Sequence, residues 1–293
     1  MKYRKITYPS PCKFNFFLDV LGRRPDGYHE VVTVIEPLGL FDTLHLTETG
    51  GEIQVVCDHP GVPGGEENIV QRAVRAIREE TGTDKGASIR IEKRVPVAAG
   101  LGGGSANAAA TLRALDDLWD LGLPPGTLAR LAAGLGSDVP FFLDPRTSLC
   151  RGRGEKIEVL PPAPPFRAVL VNPSFPLSTR RAYESLAVTG PLREPHPNRE
   201  KVIDALDRSD LIALGNSLYN VFQEVLEPRI RPLHELLDFF RRSRAVGTVL
   251  SGSGPTVIGL VETEEEGVAL AAAARSAFPE NYRVYLAGNT VSR

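Results

Sequence analysis

The N-terminal part of the chain has the hydrophobic pattern of β-strands. Residues 13–21 are apolar and aromatic, residues 31–40 are rich in β-branched side chains, and residues 43–47 alternate between polar and apolar positions. Runs of this kind, bounded by turn residues, are typical of strands. The stretch 23–27, Arg-Arg-Pro-Asp-Gly, predicts the turn between the first two runs.

A helical period replaces this pattern after Asn68. Apolar side chains then recur at helical spacing, at Ile69, Val70, Ala73, Val74 and Ile77. Asparagine is a favoured N-cap and Gly82 ends the pattern, so a helix is predicted between them. A short strand is expected over residues 87–92, and an alanine-rich helix from Ser105 to Trp119.

The second half mixes strands and helices without strict alternation. Strands are predicted over residues 168–171, 247–250 and 283–286, and a further strand that ends at Val261. Helices are predicted over residues 230–243 and from Thr263 onward. This mixture favours an α+β architecture over a doubly wound parallel sheet. The proline-rich stretch 161–165 is the clearest break, and it predicts an N-terminal domain over residues 1–163 and a C-terminal domain over residues 164–293.

Composition narrows the class of protein. A length of 293 residues favours two domains, and a formal net charge of −2 excludes a globally basic nucleic-acid-binding protein while permitting a local positive pocket. The three cysteines lie far apart without Cys-x-x-Cys spacing, which argues against a zinc site or a disulfide framework and favours a reducing cytoplasm. We find no signal peptide and no apolar run of membrane-spanning length.

The glycine cluster at residues 100–104 predicts a phosphate site. Four glycines within five positions let backbone N–H groups converge where a Cβ would interfere. A helix beginning at or near Ser105 would point its unpaired N–H groups and positive dipole end at the same place, and Lys93 and Arg94 would add charge. The alternative is a flexible turn between a strand and a helix. The loop lacks the Gly-Lys-Ser/Thr ending of a P-loop and the acidic residue of a Rossmann fingerprint, and the protein kinase signatures are absent.

Three segments together resemble the motifs of the GHMP kinases, the galacto-, homoserine, mevalonate and phosphomevalonate kinases. Residues 96–106, Pro-Val-Ala-Ala-Gly-Leu-Gly-Gly-Gly-Ser-Ala, are similar to the second motif of that family. Residues 251–257 resemble the third motif, and residues 11–15 lie where the first is found. The resemblance implies a two-domain α+β fold, with an N-terminal domain like domain 2 of ribosomal protein S5 and a ferredoxin-like C-terminal domain. It also implies ATP as co-substrate together with Mg²⁺.

A finer resemblance covers essentially the whole chain. Residues 23–30, 135–142 and 153–155 are similar to elements of the GHMP kinases that act in the non-mevalonate route to isoprenoid precursors. Cys12 stands where alanine is more usual, and residues 191–197 match no part of the pattern. The implied activity is phosphorylation of the 2-hydroxyl of 4-diphosphocytidyl-2-C-methyl-D-erythritol, a small molecule that carries a cytidine diphosphate moiety.

The resemblance assigns the catalytic pair to Lys13 and Asp138. Phosphoryl transfer needs a phosphate cradle, a metal ion and a group that orients or deprotonates the nucleophile. Asp138 lies on a constrained segment, after Gly-Ser and before Val-Pro, which suits a general base. Its carboxylate would be poorly solvated there, and a nearby cation such as Lys13 would hold it ionised. The ordinary alternatives are a turn or capping aspartate and a lysine at a strand edge facing solvent.

Ligand contacts follow from the same resemblance. Asn15, Tyr28, His29, Thr179 and Tyr183, with Asp138, are assigned to the cytidine-bearing substrate, although packing of the tyrosines and a surface histidine are alternatives. Asn68 is assigned to the adenine of ATP and also suits an N-cap. Residues assigned to ATP are Asn68, Lys93, Pro96, Val97, Ala98, Ala99, Gly100, Leu101, Gly102, Gly103, Gly104, Ser105 and Ala106. No protein carboxylate is a clear metal ligand, so Mg²⁺ is expected to be held by ATP and water, with Ser105 as a candidate.

Two other classes of function stay open on the sequence. Another metabolite kinase of the same family would keep the motifs but act on a different alcohol. A ligand sensor with this fold would bind without transferring phosphate, although it would need neither Lys13 nor Asp138. A nucleic-acid-binding protein is disfavoured because the charge is balanced and no basic stretch is interleaved with aromatic residues. A cytoplasmic monomer or homodimer without membrane contact is expected.

Overall fold

The computed structural model describes residues 3–186 and 192–289. Within these residues the chain forms two compact units that are discontinuous in sequence. The first unit comprises the described residues of Met1–Cys12, Leu40–Val97 and Gly102–Pro145, and the second those of Lys13–Gly39, Ala98–Leu101 and Arg146–Arg293. The domain boundary between residues 163 and 164 stays a prediction.

Two long strands, β1 (Lys5–Arg23) and β2 (His29–Thr49), contribute residues to both units. The sequence predicted two separate strands within β2, whereas the structure has one. Both of its halves pair with neighbouring strands. The backbone between these two pairings stays extended through Gly39 and Asp42, although both residues have a low intrinsic strand preference.

The first unit is a sheet with three helices. Its remaining elements are β3 (Ile53–Cys57), α1 (Ile69–Thr81), β4 (Gly86–Glu92), α2 (Gly103–Trp119) and α3 (Pro125–Leu135). The second half of β2 pairs antiparallel with β4, and β3 pairs parallel with β4. The central helix α2 packs against both α1 and α3, which explains why it is buried along most of its length.

Helix α1 confirms the prediction made from its spacing. The Asn68 side chain accepts a hydrogen bond from the backbone N–H of Val70 at 2.9 Å, and Gly82 ends the helix with a φ of +66°. The left-handed region favours glycine because it has no Cβ. The buried face consists of Val70, Ala73, Val74 and Ile77, four of the five positions in the predicted helical period, whereas Ile69 is half-buried.

The second unit contains the remaining strands and helices. These are β5 (Ser148–Arg151), β6 (Lys156–Val159), β7 (Arg167–Asn172), α4 (Thr179–Ser185), α5 (Asn198–Asp207), α6 (Leu211–Ser217), β8 (Tyr219–Asn220), α7 (Val221–Leu226), α8 (Arg231–Arg241), β9 (Gly247–Leu250), β10 (Val257–Val261), α9 (Glu264–Ala277) and β11 (Arg283–Gly288). Strands β5 and β6 were missed in the sequence. They are four residues each, and β6 is exposed throughout, so they carry little hydrophobic signal.

The larger part of the second unit has the ferredoxin-like order. Strands β7, β9, β10 and β11 form an antiparallel sheet in the spatial order β11-β7-β10-β9, with α8 after β7 and α9 after β10. Helix α9 was predicted from Thr263 onward, and Thr263 is its N-cap residue, in a reciprocal capping box with Glu266. A Cβ at Gly259 of β10 would lie 2.3 Å from the Phe240 ring of α8, so glycine permits this helix to pack closely on the sheet. The α+β prediction is confirmed.

Two shorter pairings complete the second unit. Strand β1 pairs parallel with β8, Phe17 opposite Tyr219 and Leu18 opposite Asn220. The first half of β2 pairs antiparallel with β5. Glu36 of β2 is buried and accepts a hydrogen bond from the Thr147 hydroxyl at 2.7 Å. Burial raises the pKa of Glu36 to about 8, and the hydrogen bonds from Thr147 and Asn289 oppose that shift only in part.

Most of the unmatched stretch 191–197 packs on β1. Pro191 lies outside the described residues. The Arg193 guanidinium forms an ion pair with the fully buried carboxylate of Asp19, which also accepts a hydrogen bond from the His196 backbone N–H at 2.9 Å. The His196 ring stacks on Tyr219 with centroids 4.0 Å apart. The described part of this stretch is therefore anchored to the fold by specific contacts.

Candidate active site

In the first unit, the end of the glycine loop forms the start of α2. Gly102 is the N-cap residue in the left-handed conformation, with a φ of +70°, and α2 begins at Gly103, two residues before the predicted start at Ser105. The first N–H groups of a helix have no partner within it, and the helix dipole adds positive potential there. Gly104 is exposed and Ser105 half-buried, so this end of α2 is accessible to an anion.

Lys93 lies against this helix start as part of a buried polar cluster. A Cβ at Gly103 would lie 3.2 Å from Lys93 Nζ. Lys93 forms an ion pair with Asp42, which is fully buried and also accepts hydrogen bonds from the backbone N–H groups of Arg94 and Val95 and from the Asn107 amide, at 2.8 to 3.0 Å. The expected contribution of Lys93 to phosphate binding is therefore offset by a carboxylate.

Asn68 directly precedes a residue that lies near the glycine loop. Its neighbour Ile69 would be 3.9 Å from a Cβ at Gly104. Because the Asn68 side-chain oxygen caps α1, its amide nitrogen is the group that a ligand could contact. Both predicted roles of Asn68 are thus geometrically compatible.

Asp138 lies in the turn that follows α3. The Val139 N–H donates to the carbonyl of Gly136 at 3.2 Å, and a short 3₁₀ helix, Pro140–Leu143, follows. Val139 and Phe141 on either side of Pro140 are buried, whereas Asp138 is half-buried. The predicted non-helical, constrained position next to apolar residues is confirmed.

In the second unit, Lys13 is buried rather than facing solvent. Only 5% of the residue is exposed, and its ammonium donates to the Asn15 side-chain oxygen at 3.0 Å. Its backbone N–H donates to the carbonyl of Leu101 in the glycine loop, also at 3.0 Å. The solvent-facing alternative is therefore wrong: the ammonium is buried, and the backbone of Lys13 contacts the glycine loop.

Asn15 is held by hydrogen bonds on both ends of its amide. The nitrogen donates to the Thr33 hydroxyl at 2.7 Å, and that hydroxyl donates to the carbonyl of Phe17 at 2.6 Å. The oxygen accepts from Lys13 Nζ and from the Gly252 N–H at 3.1 Å. These partners fix which end of the amide faces the ammonium.

The third motif is both a turn between β9 and β10 and a contact of the glycine loop. The Ser251 hydroxyl donates to the carbonyl of Gly100 at 3.0 Å. Within the turn, the Gly254 N–H donates to the Ser251 carbonyl and the Ser251 N–H to the Thr256 carbonyl, both at 2.9 Å. The two motifs are thus in contact at Gly100 and Ser251.

His29, Tyr183 and Thr179, which are assigned to a cytidine handle, make side-chain contacts within this unit. The rings of His29 and Tyr183 stack with centroids 4.7 Å apart, and the hydroxyls of Thr179 and Ser253 are 3.0 Å apart. Burial, with a smaller effect of Arg23, lowers the pKa of His29, so the ring favours the neutral form that can both donate and accept a hydrogen bond.

Tyr28 projects from the turn that precedes β2. It is 53% exposed, and the guanidinium of Arg153 lies 4.1 Å from its ring centroid. Its backbone N–H donates to the Asp26 carboxylate at 3.1 Å, and Gly27 adopts a φ of +84°. The predicted turn with an accessible aromatic ring is therefore present, and Arg153 is one of its neighbours.

Sequence reasoning missed the buried polar residues that support these groups. Thr33, Asp42 and Asn107 were not recognised, and each has partners far away in the sequence. The available signal was a short polar side chain inside an otherwise apolar strand or helix. Among the described residues no group of three or more His, Cys, Asp or Glu could hold a metal ion, and no helix is long and apolar enough to cross a membrane.

Comparison with known proteins identifies the family. The GHMP kinases N terminal domain matches residues 68–144 and the GHMP kinases C terminal domain matches residues 202–280. The 4-diphosphocytidyl-2-C-methyl-D-erythritol kinase of Symbiobacterium thermophilum is 44% identical over 87% of this chain and 90% of its own length. The enzyme of that name from Pelotomaculum thermopropionicum is 41% identical over 91% of this chain and 93% of its own.

Solved structures agree with this match. A crystal structure of 4-(cytidine 5'-diphospho)-2C-methyl-D-erythritol kinase is 32% identical, with a TM-score of 0.81 over 97% of this chain and 98% of that one. Homoserine kinase from Cytophaga hutchinsonii shares the fold at 19% identity, with a TM-score of 0.77 over 98% of this chain and 95% of that one. The predicted two-domain fold is confirmed, and the chain belongs to the GHMP kinase family, within its group of 4-diphosphocytidyl-2-C-methyl-D-erythritol kinases.

Proposed function

We propose that this protein transfers the γ-phosphoryl group of ATP to the 2-hydroxyl of 4-diphosphocytidyl-2-C-methyl-D-erythritol. The products are the 2-phosphate and ADP, in the non-mevalonate route to isoprenoid precursors. The observation that carries the proposal is the similarity, over nearly the full length, to kinases named for this substrate. We further assign the reaction to the cytoplasm and expect a monomer or a homodimer.

The ATP phosphates are proposed to bind at the start of α2. Its accessible N–H groups and helix dipole favour a polyanion, and Asn68 beside the loop has an amide nitrogen available for the adenine. Ser105 is the candidate protein ligand for Mg²⁺, which would offset the negative charge of the phosphates when bound.

Asp138 and Lys13 are proposed to act on the substrate hydroxyl. Asp138 takes the hydroxyl proton as the substrate oxygen bonds to the γ-phosphorus. The bond from that phosphorus to the oxygen bridging to the β-phosphate then breaks, and ADP leaves with the electron pair. Lys13 would stabilise the negative charge that develops on the reacting oxygens. Its burial supports this role because a cation with little water around it interacts strongly with a developing anion.

The cytidine end of the substrate is proposed to bind among the aromatic residues of the second unit. Tyr28 and Tyr183 offer ring faces for stacking on the base, and neutral His29 offers a donor and an acceptor for its polar edge. Asn15 and Thr179 are the proposed polar contacts. The stacking of His29 on Tyr183 supports the assignment because it places an aromatic ring beside an imidazole that can donate and accept hydrogen bonds.

A coupled ADP-release assay tests the function. Purified protein with ATP and Mg²⁺ is offered 4-diphosphocytidyl-2-C-methyl-D-erythritol, mevalonate or homoserine at equal concentrations. We expect turnover with the cytidine-containing alcohol alone. Turnover with mevalonate or homoserine instead would reassign the protein within the family. Binding of the cytidine-containing alcohol without turnover would favour a ligand sensor.

A further inference from the structure

Asn220 is a buried asparagine with every polar group of its side chain engaged. It is 2% exposed and lies at the end of β8. Its amide nitrogen donates to the carbonyls of Leu250 at 2.6 Å and Gly252 at 2.8 Å, and its oxygen caps α7 by accepting from the Phe222 N–H at 2.9 Å. The two donated bonds hold the chain on either side of Ser251.

Gly252 is therefore fixed at both sides of its backbone. Its carbonyl accepts from Asn220, and its N–H donates to the Asn15 side-chain oxygen at 3.1 Å. Its φ is +54°, and a Cβ there would lie 2.9 Å from the Gly100 carbonyl oxygen, so the residue has little room to move. If the Gly252 carbonyl moved, the Gly252 N–H would move with it and change the hydrogen bond that this N–H donates to the Asn15 oxygen.

The same oxygen of Asn15 accepts a hydrogen bond from Lys13 Nζ at 3.0 Å. A continuous chain of hydrogen bonds thus runs from Asn220 through Gly252 and Asn15 to the ammonium. Every residue in it belongs to the second unit. We propose that Asn220 is a positioning residue for phosphoryl transfer, which places Lys13 Nζ by fixing Gly252 and Asn15. This inference rests on the proposed role of Lys13.

Simple structural support is the alternative explanation, since Asn220 also caps α7. The two roles can be separated by substitution. Asn220→Ser keeps a side chain that caps helices well, but it is too short to donate to both carbonyls. Asn220→Asp keeps the size and the cap acceptor, but it sets a carboxylate oxygen against the carbonyls of Leu250 and Gly252.

Asn172 provides the matched control. It is 6% exposed, and its amide donates to the Thr256 hydroxyl at 3.0 Å while its oxygen accepts from the Ser174 N–H at 3.0 Å. It therefore supports the same connection between β9 and β10, without a bond to Gly252. Asn172→Ser removes an amide that is about as buried as that of Asn220, and it leaves the chain of hydrogen bonds to Lys13 intact.

Two measurements test the proposal. The first is kcat with saturating ATP and cytidine-containing alcohol, alongside the affinity for ATP. We expect Asn220→Ser and Asn220→Asp to lower kcat by about 10- to 100-fold, the scale for misplacing a reacting group, with ATP affinity little changed. Asn172→Ser is expected to keep kcat within about twofold of wild type, as for a residue outside the hydrogen-bonded chain. Equal kcat values for the Asn220 and Asn172 variants would overturn the proposal.

The second measurement does not depend on turnover. The rate at which an amine-acylating reagent modifies Lys13 in ligand-free protein is followed by mass spectrometry. We expect a faster rate in either folded Asn220 variant and an unchanged rate in Asn172→Ser. If the wild-type protein shows no kinase activity but Lys13 is still modified faster in the Asn220 variants, the proposed function is refuted and the structural link is kept. An unchanged rate in the Asn220 variants would refute the link itself.

Discussion

A Cβ on Gly100 would lie 2.0 Å from the carbonyl oxygen of Ser251. The backbone of Gly100 also has a φ of +77°, in the left-handed region that L-residues adopt at a cost. Glycine therefore permits the glycine loop and the turn between β9 and β10 to approach at this point. No rearrangement of a side chain can relieve the contact, since the obstructing atom belongs to the backbone.

The first prediction concerns this contact. Gly100→Ala should lower the free energy of unfolding by about 2 kcal/mol or more, because the clash adds to the conformational cost. Gly134→Ala is the control, since Gly134 lies in α3 and a Cβ there would meet no neighbouring atom within 4 Å. The control should be neutral or slightly stabilising. Urea unfolding of both variants provides the comparison, and equal stabilities would contradict the role of the close approach.

The second prediction separates catalysis from binding at Asp138. Asp138→Asn should reduce kcat by at least about 100-fold, because the amide cannot accept the hydroxyl proton, while ATP affinity stays near wild type. Asp144 directly follows the short 3₁₀ helix Pro140–Leu143. The variant Asp144→Asn serves as the control and should keep wild-type activity. Single-turnover kinetics and calorimetric ATP titration are the measurements. Undiminished turnover in Asp138→Asn would remove this residue from the proposed mechanism.

The third prediction follows from the buried carboxyl of Glu36. Its pKa of about 8 in the folded protein lies above the ordinary value of 4.5. Because the folded state binds this proton more tightly, protonation of Glu36 stabilises the folded protein. The stabilisation is complete below pH 4.5 and is lost as the pH rises to about 8. Glu36→Gln should flatten the dependence of unfolding free energy on pH across that window. Urea unfolding at intervals from pH 5 to about pH 9 tests it.

Exposed Glu158 supplies the control for this experiment. It forms a surface ion pair with Arg151, of the kind that contributes little to stability. Glu158→Gln should therefore leave the pH dependence as in wild type. Parallel curves for wild type and Glu36→Gln would mean that Glu36 does not cause the pH dependence.

The fourth prediction concerns recognition of the base by Tyr28. Tyr28→Leu should raise the KM for the cytidine-containing alcohol about tenfold, since an aromatic stack contributes ~1–3 kcal/mol per base, and should leave the KM for ATP unchanged. Tyr3→Leu is a close control because Tyr3 is 55% exposed and Tyr28 is 53% exposed. Steady-state kinetics with each substrate varied in turn test the prediction. A parallel rise in both KM values would argue against a base-specific contact.

Much of the fold was predictable because its local signals agree with its tertiary contacts. Helix α1 has its cap, its apolar spacing and its terminating glycine within one short stretch, and the threonine at the predicted start of α9 is its N-cap. The merging of two predicted strands into β2 was not predictable, because the hydrogen bonds that maintain it come from strands distant in the sequence.

The candidate site divides in the same way. The glycine loop and the residues matched to family motifs could be named from the sequence. The burial of Lys13 could not, because it depends on Asn15 and Thr33, whose side chains meet only when β1 and β2 have formed. The ion pair of Lys93 with Asp42 was hidden for the same reason, and it changes the expected charge at the start of α2.

The continuous course of β2 constrains the length of the chain as well as its composition. One end of the strand is in register with β5 at Thr33–Ile35, and the other with β4 from Thr43 to Thr49. Since successive side chains of a strand point to opposite faces, inserting or deleting one residue between these pairings would reverse the faces of one half. Changes by two residues would preserve the faces. Homologous chains should therefore tolerate insertions in the turn before β2 far more readily than within it.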